Sequence, residues 1–135
     1  MSVFDTLRIA GSGLTAQRLR MDIAASNLAN AQTTRTAAGG PYQSQSVVFQ
    51  PTQVGSDPTS LGVAGTAILT PGQGQVRVFD PTHPDADAEG FVAYPDVDVA
   101  TEMTDIMGAA RAYQVNATVA TAAKQSALDA LEIGR

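Results

Sequence analysis

Long apolar patterns with helical spacing occupy both ends of the chain and constrain its fold more than any other feature. In the first, one position of a seven-residue repeat holds Leu7, Leu14, Met21 and Leu28, and the other holds Phe4, Gly11, Arg18 and Ala25. Alternating steps of three and four residues are typical of a helix that packs along one stripe. The repeat predicts a helix near residues 3–29, and Ser2 with Asp5 forms a capping pattern before it.

A second repeat of the same kind follows Pro95. One of its positions holds Met103, Ala110, Ala117, Lys124 and Leu131, and the other holds Ile106, Tyr113, Ala120 and Ala127. It predicts a helix that Asp96 or Asp98 caps and that ends near Ile133. A pattern of this length favours a coiled coil, so the two helices are expected to pair with each other.

The middle of the chain has a different character. Residues 33–46 contain Gly39-Gly40-Pro41 and predict a flexible connector. Stretches at 47–49, 65–69 and 75–79 are rich in β-forming residues, and the segment 70–74 predicts a hairpin of the second and third. In the third stretch valines alternate with an arginine, which predicts one buried and one exposed face.

These patterns predict an α+β fold. Two long terminal helices, within residues 1–32 and 96–135, would pair as an antiparallel coiled-coil-like hairpin. The connector and a small β-hairpin module, residues 33–95, would be inserted between them. The core is expected to be thin, because aromatic residues make up 5% of the chain and much of its 44% apolar fraction is alanine. Each buried carbon unit contributes roughly 0.8 kcal/mol, so we expect further burial against neighbouring copies.

Charge and residue types exclude several functions. The net charge of −5 argues against nucleic acid as a partner, and the lack of cysteine excludes disulfides and thiolate chemistry. No apolar run is long enough to span a membrane, and the N-terminus lacks a signal-peptide pattern. Residues 80–105 hold eight acids and no base, whereas residues 1–35 hold four arginines and two acids. Two solvated faces or charge-guided docking between subunits would both explain this distribution.

Catalytic and metal-binding motifs have little support. His83 is the only histidine, and a solvated loop residue is its simplest interpretation, since no serine-hydrolase motif accompanies it. Residues 85–90, DADAEG, resemble the start of a calcium loop, but its twelfth position is Asp96 instead of glutamate and Pro95 falls inside it. We expect no enzymatic activity, no cofactor, no metal and no small-molecule substrate.

Several stretches resemble the rod and hook proteins of the bacterial flagellum. Their N-terminal signature is similar to SGLTAQ at 12–17 and SNLANA at 26–31. The resemblance narrows to the proximal rod through the acidic run at 83–88, FVAYPDVDV at 91–99 and ARAYQVN at 110–116. The chain departs from the family at 33–42, TTRTAAGGPY, where many members have Thr-Pro-Gly-Tyr or Thr-Thr-Gly-Phe. This departure bears on the conformation of the connector and not on the resemblance to the family.

The resemblance implies a structural subunit of the proximal rod. Such proteins are exported by a type III route without a cleaved signal, assemble helically around the export channel and reside in the periplasmic rod of the basal body. The implied partners are other copies of the chain, other rod proteins, and the junction of the membrane ring with the export gate. The alternative is an exported binding or adaptor module that acts through its β segment.

The candidate assembly residues lie on the helix stripes and at the end of the first helix. Asn27 and Asn30 share one face, and an asparagine amide both donates and accepts hydrogen bonds. We expect one to cap the helix in the left-handed conformation and the other to bond backbone of the connector or of a neighbouring subunit. The full set is Phe4, Leu7, Leu14, Met21, Asn27, Leu28, Asn30, Ile106, Ala110, Tyr113, Asn116, Ala117, Ala120, Leu128 and Leu131.

Overall fold

The computed structural model describes residues 2–55, 58–70 and 74–133 and has an α+β fold. In chain order its elements are α1 (Val3–Ala29), β1 (Gln45–Gln53), β2 (Leu61–Leu69), β3 (Gln75–Phe79), β4 (Phe91–Pro95) and α2 (Val99–Ile133). The strands form two separate antiparallel pairs, β1–β2 and β3–β4. The predicted arrangement of two long terminal helices around a small β module is confirmed.

The start of α1 is fixed by the predicted cap. The side chain of Ser2 accepts a hydrogen bond from the backbone N–H of Asp5, and the Asp5 carboxylate accepts one from the N–H of Ser2. These bonds satisfy helix donors that would otherwise lack partners. The Ser2 hydroxyl also donates to the Asp5 carboxylate at 3.0 Å. The two bonds that this carboxylate accepts from Ser2 lower its pKa, and the one from the backbone N–H has the larger effect.

Strand pairing differs from the predicted hairpin. β2 pairs with β1 over its whole length, from Gln45 opposite Leu69 to Gln53 opposite Leu61. β3 pairs with β4 instead of β2, so the predicted hairpin of the second and third stretches is wrong. Residues 71–73 of its expected turn lie outside the described residues. The reason is that β1 has nine residues and not three, which gives β2 a longer partner than β3 offers.

The buried face expected on β3 is also absent in the single chain. All five residues of β3 are exposed, including Val76 and Val78. Its partner β4 is the buried strand of the pair, with Val92 fully inaccessible and Pro95 buried. The alternating pattern of β3 therefore reflects a face that no described residue buries.

The β1–β2 hairpin lies along α1. A Cβ atom on Gly62 would lie 2.5 Å from Oγ of Ser12, and one on Gly65 would lie 3.1 Å from Cδ2 of Leu19. The absence of side chains at these two glycines therefore lets β2 approach the helix. The Ser12 hydroxyl also accepts a hydrogen bond from the N–H of Val63, 3.1 Å away, so the helix satisfies a backbone donor of the strand.

α2 starts at the second of the two predicted caps. The carboxylate of Asp98 accepts hydrogen bonds from the hydroxyl of Thr101 and the N–H of Ala100, and both lower its pKa. The helix runs antiparallel to α1, because Glu102 contacts Asn27 and Asn116 lies beside Gly13. Counted from that second contact, the last two turns of the 35-residue α2 extend past the start of α1.

The connector contains backbone hydrogen bonds of its own. Within residues 33–44 the N–H of Thr36 donates to the carbonyl of Gly40, and the N–H of Tyr42 donates to the carbonyl of Thr33. Gly39 and Gly40 have φ values of 87° and 74°, a region that glycine occupies without strain. The segment is therefore a hydrogen-bonded loop, and residues 45 and 46 of the predicted connector belong to β1. Flexibility of the remaining residues stays a prediction.

The core is as thin as the composition predicts. Its fully buried apolar residues are Ala10, Ala16, Ala24, Val92 and Ala109. Four of these five side chains are single methyl groups, so little apolar area is removed from water. Among the described residues, no helix combines the length and apolar character needed to cross a membrane.

Candidate assembly surfaces

Asn27 joins four parts of the chain at the closed end of the helix pair. Its side chain is 2% exposed. The amide Nδ2 donates to the carbonyl of Gln45 at 2.7 Å and to Oε1 of Glu102 at 2.9 Å. Its Oδ1 accepts from the N–H of Gln45 and the hydroxyl of Tyr42, both at 3.0 Å. Both donors and both acceptor positions of the amide are thus used, which fixes α1, β1, the connector and α2 relative to one another.

Asn30 has the simpler role of closing α1. Its Nδ2 donates to the carbonyl of Ser26 at 2.9 Å, and its Oδ1 accepts from the Thr33 hydroxyl at 3.2 Å. Its φ of −104° shows that the predicted left-handed conformation is wrong. The predicted division between the two residues is confirmed, since one caps the helix and the other bonds backbone at the start of β1.

Glu102 is a partly buried acid in this junction. Burial raises the pKa of its carboxyl, and the negative charges of Asp105 and Asp98 add to the rise. The hydrogen bond from Asn27 acts in the opposite direction but is the smaller effect. The junction therefore holds this carboxyl in surroundings that favour its neutral form.

Oppositely charged segments meet within the chain. Nη2 of Arg20 lies 2.8 Å from Oδ1 of Asp105, which links α1 to α2. Nη1 of Arg35 lies 3.4 Å from Oδ1 of Asp85, whose carboxylate also accepts from the hydroxyl of Thr34. Some of the charges of the basic and acidic segments therefore pair with each other inside one chain. The predicted charge-guided docking between subunits stays a prediction for the remaining charges.

The line of contact between the helices lies one residue earlier in each repeat than predicted. On α1 the contacts are made by Gly13, Arg20 and Asn27, and on α2 Ala109 is fully buried on the side that also carries Glu102 and Asn116. A Cβ atom on Gly13 would lie 2.8 Å from Nδ2 of Asn116, so the glycine permits close approach of the helices. Small and polar residues thus form the intrachain contact, and bulkier apolar residues lie beside it.

The predicted packing residues are consequently spread over three environments. Asn27 is buried, and Phe4, Ala110, Tyr113, Leu128 and Leu131 are exposed. The others are half-buried: Leu7, Leu14, Met21, Leu28, Asn30, Ile106, Asn116, Ala117 and Ala120. Asn27 and Asn116 take part in the contacts described above, and packing of the exposed residues against other copies stays a prediction.

The outer face of α2 is an unpartnered apolar surface among the described residues. Among the elements of the described chain, α2 contacts only α1, and Ala109 is its only buried residue. Between Ile106 and Ala123 the sequence has a single charge, that of Arg111. The exposed apolar side chains of the helix are Val99, Met103, Met107, Tyr113, Val115, Val119, Leu128, Leu131 and Ile133. A face of this size and composition is typical of a surface that another protein covers.

The acidic loop between β3 and β4 uses its carboxylates for its own turns. The Asp87 carboxylate accepts from the N–H of Phe91, which lowers its pKa, and pairs with Arg77. The hydroxyl and N–H of Thr82 donate to Asp80 and lower its pKa in the same way. No group of three potential metal ligands occurs within residues 2–55, 58–70 and 74–133.

His83 lies at an open hollow of about 550 Å³, walled mainly by Val76, Val78, Tyr94 and Pro95. Its Nδ1 accepts a hydrogen bond from the N–H of Asp85 at 3.1 Å, and its ring meets Tyr94 edge-on at 6.2 Å. One ring nitrogen is therefore engaged in holding the loop. The surroundings are those of a structural loop residue with an apolar hollow beside it.

Several residues that shape the junction were not predicted from the sequence. Glu102, Tyr42 and Ser12 give no periodic signal, because each acts through hydrogen bonds to residues that are distant in the sequence. Arg20 and Asp105 fall in the basic and acidic segments of the sequence, so their signs were visible but their pairing was not.

Comparisons with known proteins agree with this architecture. Residues 7–35 match the family model "Flagella basal body rod protein", and residues 88–133 match "Flagellar basal body rod FlgEFG protein C-terminal". The chain is 39% identical to the flagellar basal-body rod protein FlgC of Escherichia coli O6:H1 over 100% of both chains. It is 38% identical to FlgC of Bacillus subtilis, again over 100% of both, and 38% identical to FlgC of Borreliella burgdorferi over 98% of both. The chain therefore belongs to the FlgC family of flagellar basal-body rod proteins.

Proposed function

We propose that this chain is a structural subunit of the proximal rod that assembles helically with copies of itself and lines the export channel. The observation that carries the proposal is α2, which contacts only α1 among the elements of the described residues and buries only Ala109. A 35-residue helix held by such a contact gains little stability from its own chain. Neighbouring copies would supply the missing burial.

The outer face of α2 suits packing against other helices better than solvation. Its single charge across residues 106–123 leaves alanine, threonine, valine and methionine to face water. Small residues permit close helix approach, and the valines and methionines add apolar area. Repeated contacts of this kind between unlike faces of identical chains produce rings or open helical polymers.

Export without a cleaved signal, residence in the periplasmic rod, and contacts with other rod proteins and the membrane-ring junction belong to the same proposal. They rest on the resemblance to rod proteins. The relatives' names support the basal-body rod as the location. The thin alanine core supports export as well, since a marginal chain unfolds at small cost before passing a narrow channel.

Two adjacent alanines provide the test. Ala109 is fully buried against α1, and Ala110 is exposed. Ala109→Asp places a charge in the intrachain contact and is expected to separate the helices, which circular dichroism of the purified chain would detect. Ala110→Asp is expected to leave the isolated chain unchanged but to block incorporation into basal bodies and abolish swimming. Normal swimming of the Ala110→Asp strain would contradict the proposal.

The exposed β3 strand favours the binding module as a second candidate. Val76, Val78 and Phe79 are all more than 40% exposed, and the two valines border the hollow beside His83. A partner in extended conformation could lie against this strand. Under that function Ala110→Asp would leave partner binding unchanged, because the change lies on α2 and not on β3, whereas it is expected to block incorporation of a rod subunit.

A further inference from the structure

The last two turns of α2 project beyond α1 and have an apolar and acidic character. We call residues 127–133 the overhang. Leu128, Leu131 and Ile133 are 45%, 70% and 87% exposed, and residues 127–133, which lie between Lys124 and Arg135 in the sequence, contain two acids and no base. Leu128, Leu131 and Glu132 share one helix face, because they are three and four residues apart. Glu132 forms no ion pair within the part of the chain that the structure describes.

The N-terminal half of α1 presents a surface of complementary character. We call Phe4, Arg8, Gly11, Thr15 and Arg18 the outer stripe; they follow one another at steps of three and four residues. Phe4 is 73% exposed, and Arg8 is exposed and forms no ion pair with any described residue. The acid next to it, Asp5, is occupied by the helix cap.

Gly11 is the unusual member of the outer stripe. A glycine inside a helix is unfavourable relative to alanine, so it normally has a packing reason. Gly13 has one, since Asn116 lies where its Cβ would be, but no atom lies within 4 Å of a Cβ placed on Gly11. A close approach at Gly11 is therefore not used inside the chain and is available to another helix.

We propose that the overhang of one copy docks on the outer stripe of a second copy. Nε of Arg18 already lies 4.0 Å from Oδ2 of Asp22 in its own chain, so the acids of the overhang would face Arg8. Leu128 and Leu131 would cover Phe4, and the helix would cross at Gly11. Charge complementarity selects a second copy as the occupant, because each chain carries both the acidic apolar patch and the basic apolar patch. The inference rests on the proposed self-assembly and names the surfaces through which it occurs.

The two patches lie on different surfaces of the chain, so their contact is head-to-tail. A contact between unlike patches leaves one free patch at each end and adds copies without closing into a pair. Docking of two overhangs on each other would instead pair acids with acids and stop at a dimer. The proposed contact thus explains how copies of the chain associate and also how further copies add along one direction.

Cysteine cross-linking tests the contact directly, because the natural chain contains no cysteine. In the double variant Gly11→Cys with Leu131→Cys, the two positions of one chain lie on the order of 20 Å apart along the helix axis, too far for a disulfide. The oxidised variant, in basal bodies or concentrated solution, is expected to give a ladder of multimers. If the Leu131→Cys single variant gives as much cross-linked dimer as the double variant, the overhangs pair with each other and the proposal is wrong. A lack of cross-links in double-variant chains that still assemble would also overturn it.

A charge exchange gives an independent result in the same cross-linking assay. Arg8→Glu and Glu132→Arg, each added to the double-cysteine chain, are expected to abolish the ladder, and the two together are expected to restore it. Asp96→Arg serves as the matched control, since it changes an exposed acid in the same way outside both patches. Loss of the ladder with the control, or no rescue in the combined variant, would overturn the proposal.

The outcomes separate this contact from the proposed function. If the natural chain is absent from basal bodies, the proposed function fails. If the natural chain and both charge variants incorporate equally well while Ala110→Asp does not, the chain is a rod subunit and the overhang contact is wrong.

Discussion

At the scale of single residues, Asn27 shows how one amide can organise a small protein. It is buried, and each of its four hydrogen bonds reaches a different atom of the connector, β1 or α2. A smaller side chain here would leave the N–H and carbonyl of Gln45 unpartnered in a buried place. Such groups are costly because they have given up water without gaining a replacement.

Asn27→Ala is accordingly expected to lower the free energy of unfolding by about 3 kcal/mol. Urea titration followed by circular dichroism measures this change. Asn30→Ala is the matched control, because it removes a cap bond at a half-buried position and should cost about 1 kcal/mol. Equal losses in the two variants would show that Asn27 has no role beyond ending the helix.

The raised pKa of Glu102 predicts a particular dependence of stability on pH. A carboxyl whose pKa is higher in the folded chain than in the unfolded chain binds its proton more tightly in the folded chain. The free energy of unfolding therefore falls as the pH rises from 4.5, the ordinary pKa of the carboxyl, through its raised pKa in the folded chain. Glu102→Gln stays neutral and can still accept from Asn27. Relative to the natural chain it should be more stable at pH 7, with the difference shrinking toward pH 4.5.

Parallel urea titrations at the two pH values test this. The aspartates with lowered pKa, Asp5, Asp80, Asp87 and Asp98, act in the opposite sense and at lower pH, since their contribution is lost as pH falls below about 3.8. A Glu102→Gln chain that is less stable than the natural chain at pH 7 would show that the charge is needed in the junction.

At the scale of elements, the close contact of α1 with α2 depends on Gly13. Gly13→Leu would push the Asn116 side chain aside and separate the helices, at an expected cost of about 2 kcal/mol. Gly11→Leu is the control, because the same change two residues earlier meets open space and improves helix propensity. Thermal unfolding of both variants compares them, and a similar loss from Gly11→Leu would contradict the assigned contact.

The helices could be predicted from the sequence more accurately than the sheets. A repeat that extends over some thirty residues, with Ser2, Asp5 and Asp98 at its limits, defines its own ends. Strand pairing has no comparable local signal, because the partner of β2 depends on which strand is long enough to reach it. The predicted line of contact between the helices was wrong by one residue. The residues that make the contact, Gly13, Arg20 and Asn27, are not the apolar residues from which a heptad repeat is recognised.

At the scale of the whole molecule, the chain has large surfaces and a small core. Its α1 helix is covered on two sides, by α2 and by the β1–β2 hairpin, whereas α2 is covered on one. The five residues that make up the hydrophobic core of the described chain include four alanines, so we expect the isolated chain to be only marginally stable in dilute solution. We propose that its outward apolar residues are covered by neighbouring copies in the assembled rod.

Mass spectrometry of basal bodies, purified from the source cells and stripped of the export apparatus, tests that claim most directly. The natural chain is expected to be retained with the rod at a level comparable to the other rod proteins, and the Ala110→Asp chain is expected to be missing from the same preparation. Absence of the natural chain from the rod, together with its recovery from the cytosol, would contradict the account.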